Sequence, residues 1–130
     1  MTVVDSGVIY ECVRLVKTRP LTGQYTTSLA LFELGNIVWK SSVLTKIYSQ
    51  KEACQLLSGC EIVIEKMRVS YSNLEHIYQL SARHHISFYD AAYVCLAKDL
   101  NVPLVTLDIK LVQKIGSAVD TLPFDQFINK

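Results

Sequence analysis

The chain has 130 residues, half of them hydrophobic and 19% charged. That is enough apolar content for one domain with its own core, and it excludes a disordered chain. Thirteen Lys and Arg against twelve Asp and Glu leave a formal net charge of +1. Nucleic-acid binding by bulk attraction is thereby excluded, and any such partner must be held by a local basic patch.

No apolar stretch reaches the ~18 residues of a membrane span. The N-terminus carries Asp5 and Glu11 and lacks the basic region of a secretory signal. The expectation is a single domain, 1–130, in the cytoplasm, with no membrane partner. Cys12, Cys54, Cys60 and Cys95 form no Cys-x-x-Cys, and no His pair near them has zinc-finger spacing. They read as small core hydrophobes in a reducing compartment.

In chain order, Thr2–Asp5 reads as a short buried strand and Ser6–Lys17 as a helix, with Val8, Ile9, Cys12, Val13, Leu15 and Val16 as its apolar positions. Pro20 and Gly23 break the pattern, and Tyr25–Thr27 reads as a brief extended piece. Ser28 is the expected cap of a helix running to Lys40. Ser42–Ser58 reads as the next helix, stopped by Gly59, and Glu61–Lys66 as a strand around Ile62-Val63-Ile64. Ser72-x-x-Glu75 and Ser87-x-x-Asp90 match capping boxes and open helices to about His84 and over Phe88–Leu100. Leu104–Leu107 reads as a strand, Asp108–Lys114 as a short helix, Ala118–Thr121 as a last strand, and Pro123 heads a final helical turn. Strands alternating with helices predict an α/β fold, a three-layer α/β/α sandwich with a central, mainly parallel sheet. Ligand sites in such sheets lie beyond the carboxyl ends of the strands.

Four carboxylates fall at that end. Asp5 ends the first strand, Asp108 follows the run Leu104–Leu107, Asp90 opens an apolar helix, and Glu33 interrupts Leu29-Ala30-Leu31-Phe32 and Leu34. Each has a bland role available. Asp5 and Asp108 are favoured N-caps, Asp90 completes a capping box, and Glu33 with Asn36 and Lys40 draws one polar stripe along a helix. That stripe is narrow, so the helix reads as nearly surrounded by protein with its acid facing a cleft. Brought together, the four would need a compensating charge, and a hard divalent cation is the natural one. His76, His84 and His85 read as surface or helix-end residues. Most of the seven tyrosines, Tyr89 and Tyr93 especially, read as core.

Val3-Val4-Asp5-Ser6-Gly7-Val8-Ile9, Leu31-Phe32-Glu33-Leu34-Gly35-Asn36, Tyr89-Asp90-Ala91-Ala92-Tyr93-Val94-Cys95-Leu96-Ala97 and Leu104-Val105-Thr106-Leu107-Asp108 together resemble the PIN-domain nucleases. Within that family the chain looks like the VapC-like ribonuclease toxins of prokaryotic toxin–antitoxin pairs, in motif order and in length. The resemblance implies that Asp5, Glu33, Asp90 and Asp108 are the catalytic, metal-binding quartet, with Asp5 and Asp90 the main direct ligands. It implies that Thr106 and Ser6 hydrogen-bond to the carboxylates, with Asn36 one turn beyond Glu33. Gly7 stands where many relatives carry a larger residue. The implied reaction is Mg²⁺- or Mn²⁺-dependent hydrolysis of RNA. The implied partners are an RNA substrate, a cognate antitoxin protein and a second copy in a homodimer. Arg14, Lys17 and Arg19, or Lys110 and Lys114, are the basic groups that would meet RNA near the acids. Exposed apolar surface for the partners is expected on Ser42–Ser58 or Ser72–His84. The alternative is a non-catalytic PIN-like interaction module whose acids are caps and a solvated stripe. A phosphotransfer fold is disfavoured, because Asp5 is followed by Ser6-Gly7 and no Asp-x-Asp forms.

Overall fold

The computed structural model describes residues 1–129; Lys130, the last residue of the expected domain, lies outside the described residues. The element order is β1 (Val3–Val4), α1 (Ser6–Arg14), a 3-10 turn (Arg19–Leu21), β2 (Tyr25–Thr27), α2 (Ala30–Trp39), a π-helical turn (Lys40–Leu44), α3 (Gln50–Glu65), β3 (Arg68–Ser70), α4 (Leu74–His84), α5 (Phe88–Leu100), β4 (Leu104–Val105), α6 (Ile109–Ile115) and α7 (Phe124–Ile128). The four strands form one parallel sheet in the order β3-β2-β1-β4. Thr121 adds an isolated parallel bridge to Leu104 where a last strand was expected.

Side-chain alternation along the short strands makes three layers. Val3 and Leu104 face one core with Ile77, Leu80, the 91–97 segment of α5, Leu111 and Ile115. Val4 and Val105 face the other with Val8, Ile9, Cys12, Leu34, Val63, Ile64 and Phe127. Each fully buried aliphatic side chain contributes about 1.5–3 kcal/mol, so two continuous cores clamp the sheet from both sides. The sandwich expected from the sequence is thus present.

Several local expectations are corrected. Ser42–Ser58 is not one helix: the chain leaves the π-helical turn through a loop, and Ser49 starts α3 with a reciprocal capping box to Glu52. Gly59 does not stop that helix, and Ile62-Val63-Ile64 is helical rather than a strand. Ala53, Cys60, Val63 and Ile64 are buried while Ile62 is exposed, so packing at helical spacing overrides a β-branched run. The true strand is β3, a sheet edge with too little burial to mark it in sequence. Asn73, not Ser72, caps α4, and Ser28 caps nothing: α2 follows Leu29 without a side-chain cap. α1 ends at Arg14, short of Lys17. Leu31, Phe32 and Trp39 on α2 are exposed, so this helix is not surrounded by protein. Tyr89 and Cys54 are exposed as well, whereas Tyr93, Cys12, Cys60 and Cys95 are buried. Among the described residues, no helix is long and apolar enough to cross a membrane.

Candidate active site

The sheet order sends the chain from β1 outward to β2 and β3 and then back to β4 on the other side of β1. The switch point of a doubly wound sheet therefore lies between β1 and β4, and a crevice opens beyond the carboxyl ends of those strands. Asp5 directly follows β1, and Asp108 follows β4 after Thr106-Leu107. Both begin helices. One oxygen of Asp5 accepts from the Val8 N–H at 3.1 Å, and one oxygen of Asp108 from the Leu111 N–H at 3.0 Å. The cap role read from sequence is real, and it leaves the second oxygen of each carboxylate for another partner.

Asp90 stands in the first turn of α5, whose cap Ser87 accepts from the Asp90 N–H at 3.0 Å. Glu33 stands in the first turn of α2. Burial, and behind it the Asp90 and Glu33 charges, push the Asp5 carboxyl up to about 6, against the lowering effect of hydrogen bonds from Thr106 and Val8. Burial and then Asp108 raise the Asp90 carboxyl, partly offset by Ser87 and by the Lys114 charge. The four acids thus share one electrostatic neighbourhood, linked pairwise through Asp5 and Asp90.

Hydroxyl groups tie the acids together. Thr106 Oγ1 accepts from the Asp108 N–H at 3.1 Å, and the same hydroxyl holds the Asp5 carboxyl down. The Tyr93 hydroxyl donates to Glu33 Oε1 at 2.5 Å. Burial and that bond push the Tyr93 phenol far above its ordinary value, with Thr27 and Ser6 hydroxyls acting against them. Thr106 thus meets Asp5 and the Asp108 amide, whereas the Ser6 hydroxyl acts on the Tyr93 phenol. Asn36 is exposed, and among the described residues no hydrogen bond joins it to the acids. Tyr93 is buried in the core, as the sequence predicts, and its hydroxyl also reaches Glu33, a contact that the sequence does not show directly. The available signal was its i, i+3 spacing from Asp90 and the need of a buried phenol for an acceptor.

The donor set suits a hard cation. Among the described residues, the ion pair found is Arg14–Glu11, so no cationic side chain pairs with the four acids. No three His, Cys, Asp or Glu side chains among those residues stand close enough to ligate one ion together. Pairs of carboxylates nonetheless match Mg²⁺, which keeps several waters and takes one or two carboxylates with the phosphates of its substrate. Lys114 and Lys110 lie on this side, on the helix that Asp108 caps. Lys17 and Arg19 do not: they line a cleft with Met1 and Thr2, ahead of β1, at the opposite edge of the sheet. Arg14 is engaged with Glu11.

Comparison with known proteins agrees with this arrangement. The profile of the PIN domain matches residues 3–116. Ribonuclease VapC3 of Pyrobaculum aerophilum is 32% identical over 97 residues, covering 73% of each chain. Ribonuclease VapC1 of Mycobacterium tuberculosis is 36% identical over 86 residues, 65% of this chain and 62% of that relative. The chain thus spans less than two thirds of that second protein. The crystal structure of PAE2754 from Pyrobaculum aerophilum superposes with a TM-score of 0.82 at 19% identity, covering 98% of this chain and 92% of the other, a likeness of fold. With the acids at the switch point and a profile match over most of its length, this chain belongs to the PIN-domain family and is VapC-like within it.

Proposed function

We propose that this protein is a Mg²⁺- or Mn²⁺-dependent endoribonuclease, the toxin of a toxin–antitoxin pair, acting through Asp5, Glu33, Asp90 and Asp108. The observation that carries the reading is the placement of the four acids beyond the carboxyl ends of the parallel strands, with Asp90 and Glu33 acting on Asp5, Asp108 acting on Asp90, and no cationic side chain among the described residues paired to them. The ribonuclease names of the VapC relatives support the substrate class.

Asp5 and Asp90 would hold a divalent ion, with Asp108 and Glu33 holding a second or acting through water. An ion bound there supplies positive charge against the phosphate and makes water a better nucleophile. The chain's own residues do the positioning. The Val8 and Leu111 amides fix the Asp5 and Asp108 carboxylates, Thr106 braces both, and Tyr93 orients Glu33. Lys110 and Lys114 offer the RNA backbone positive charge beside the acids. A cognate antitoxin and a second copy of the chain are the proposed partners. Exposed Phe32, Trp39, Val43 and Ile47, spaced on α2 and beyond, supply apolar surface for them, as do Val69, Tyr71, Leu74 and Tyr78 around β3 and α4.

One observation favours the inert alternative. Asp5 and Asp108 already serve as helix caps, and no three acids converge on one point among the described residues. A single experiment separates the readings. Labelled circular and linear structured RNAs are incubated with wild type or Asp90→Asn in Mn²⁺, Mg²⁺ or EDTA. Metal-dependent opening of the circle that Asp90→Asn reduces at least a hundredfold is the expected result. Intact RNA in every metal, with no metal bound by calorimetry, would leave the interaction module.

A further inference from the structure

The amino-terminal edge of the sheet carries an open cleft of ≈ 830 Å³ lined by Lys17, Arg19, Thr22 and Gln24 among others. A second cleft of ≈ 250 Å³ adjoins it, sharing Arg19 and Thr22 and adding Lys66. These residues precede β1, β2 and β3 or follow α1, so the groove faces away from the four acids. Met1 and Asp5 are four extended residues apart, which separates the two edges by about 13 Å.

The chemistry of the groove is one-sided. Lys17, Arg19 and Lys66 are exposed, and among the described residues none is in an ion pair. No carboxylate appears among the described residues lining either cleft. Gln24 Oε1 accepts from the Thr2 N–H at 2.8 Å and from the Thr2 hydroxyl at 2.9 Å, and among the described residues no acceptor takes the Gln24 amide hydrogens. Three cations strung over two adjoining clefts, with neutral donors between them, match a chain of phosphates better than one small anion.

The opposite pole shows why such a groove matters. A site built from four carboxylates repels RNA, and a net charge of +1 provides little bulk attraction. We infer that the paired clefts form a second, non-catalytic site for the phosphate backbone of a structured RNA, holding a remote part of the molecule whose scissile bond lies at the acids. This rests on the ribonuclease reading for the identity of its ligand. A short single strand reaches the acids alone, whereas a folded RNA spans both edges.

The test compares wild type with the triple variant Lys17→Gln, Arg19→Gln, Lys66→Gln. All three side chains are exposed, so the melting temperature should hold; Arg19→Gln alone, which touches both clefts, is the fallback if it does not. Anisotropy of a labelled tRNA in EDTA is followed against salt. The expected result is a Kd at least tenfold weaker, with a salt slope shallower by roughly 2–3, one unit or slightly less per lost phosphate contact. An unchanged Kd and slope would overturn the inference. So would a labelled acidic peptide that binds wild type as tightly as the tRNA and is lost in the same variant. Metal-dependent cleavage of a short oligonucleotide is measured alongside and should be equal in the two proteins. If neither cuts it while tRNA affinity still falls in the variant, the nuclease reading fails and the groove stands.

Discussion

A phenol buried in a helix must place its proton on an acceptor, and Tyr93 places it on Glu33. The bond locks a carboxylate whose own helix is half exposed. Tyr93→Phe removes the donor and nothing else of size. Its expected cost in urea denaturation is about 1 kcal/mol, because water can reach part of Glu33. In cleavage assays kcat should fall several-fold while KM stays within twofold, the pattern of a positioning residue; an unchanged kcat would remove Tyr93 from the site. Asp5 and Asp90 make a second prediction. Burial, and behind it like charges, raise both carboxyls, so a divalent ion bound there would relieve a strain already present. Saturating Mg²⁺ or Mn²⁺ should raise the melting temperature, by about 2.7 kcal/mol of added stability at a hundredfold excess over Kd. The gain should shrink in Asp90→Asn. A melting curve indifferent to metal would count against a shared site.

At the scale of single elements, the helices with strong N-caps and periodic cores were legible. α5 was expected over Phe88–Leu100 with Ser87 as its cap, and it occupies those residues. α3 was not legible, because Ile62-Val63-Ile64 has strand propensity and only its neighbours decide otherwise. The edge strand β3 was missed for the converse reason: Val69 is half exposed and its partners on β2 lie far back in the chain. α2 gives a stability prediction. Gly35 sits inside this helix with ordinary helical backbone, and a Cβ there would meet nothing within 4 Å. Gly35→Ala should therefore raise the free energy of unfolding by about 0.5–1 kcal/mol, read as a later urea midpoint at constant m-value. A loss of stability would mean that α2 is not helical at that position.

Across the whole molecule, charge and apolar surface are segregated. The acids occupy the carboxyl edge of the sheet, a basic groove occupies the amino edge, and unpartnered apolar side chains run along α2 into the π-helical turn. A bare stripe of this kind marks an interaction surface. Trp39, the one tryptophan of the chain, lies on it and is 48% exposed. Its emission should shift to the blue as protein concentration rises if a second copy covers that face. Emission that stays constant across a dilution over which size-exclusion chromatography reports the dimer falling to monomer would assign the face to a different partner.

The sequence by itself determined the alternation of strands and helices and the short strands around Val3-Val4 and Leu104-Val105, and it singled out the four acids as candidates. These are properties of local order: burial period, cap chemistry and the position of a charge within an apolar run. Only the tertiary structure decided what lies beside what. It moved Lys17 and Arg19 from the acids' side to the opposite edge, brought the hydroxyl of the buried Tyr93 to Glu33, and exposed a helix that reads as buried. The physical reason is the same in each case. Burial and pairing depend on the neighbours that the chain reversal between β1 and β4 supplies, and those neighbours are far away in sequence.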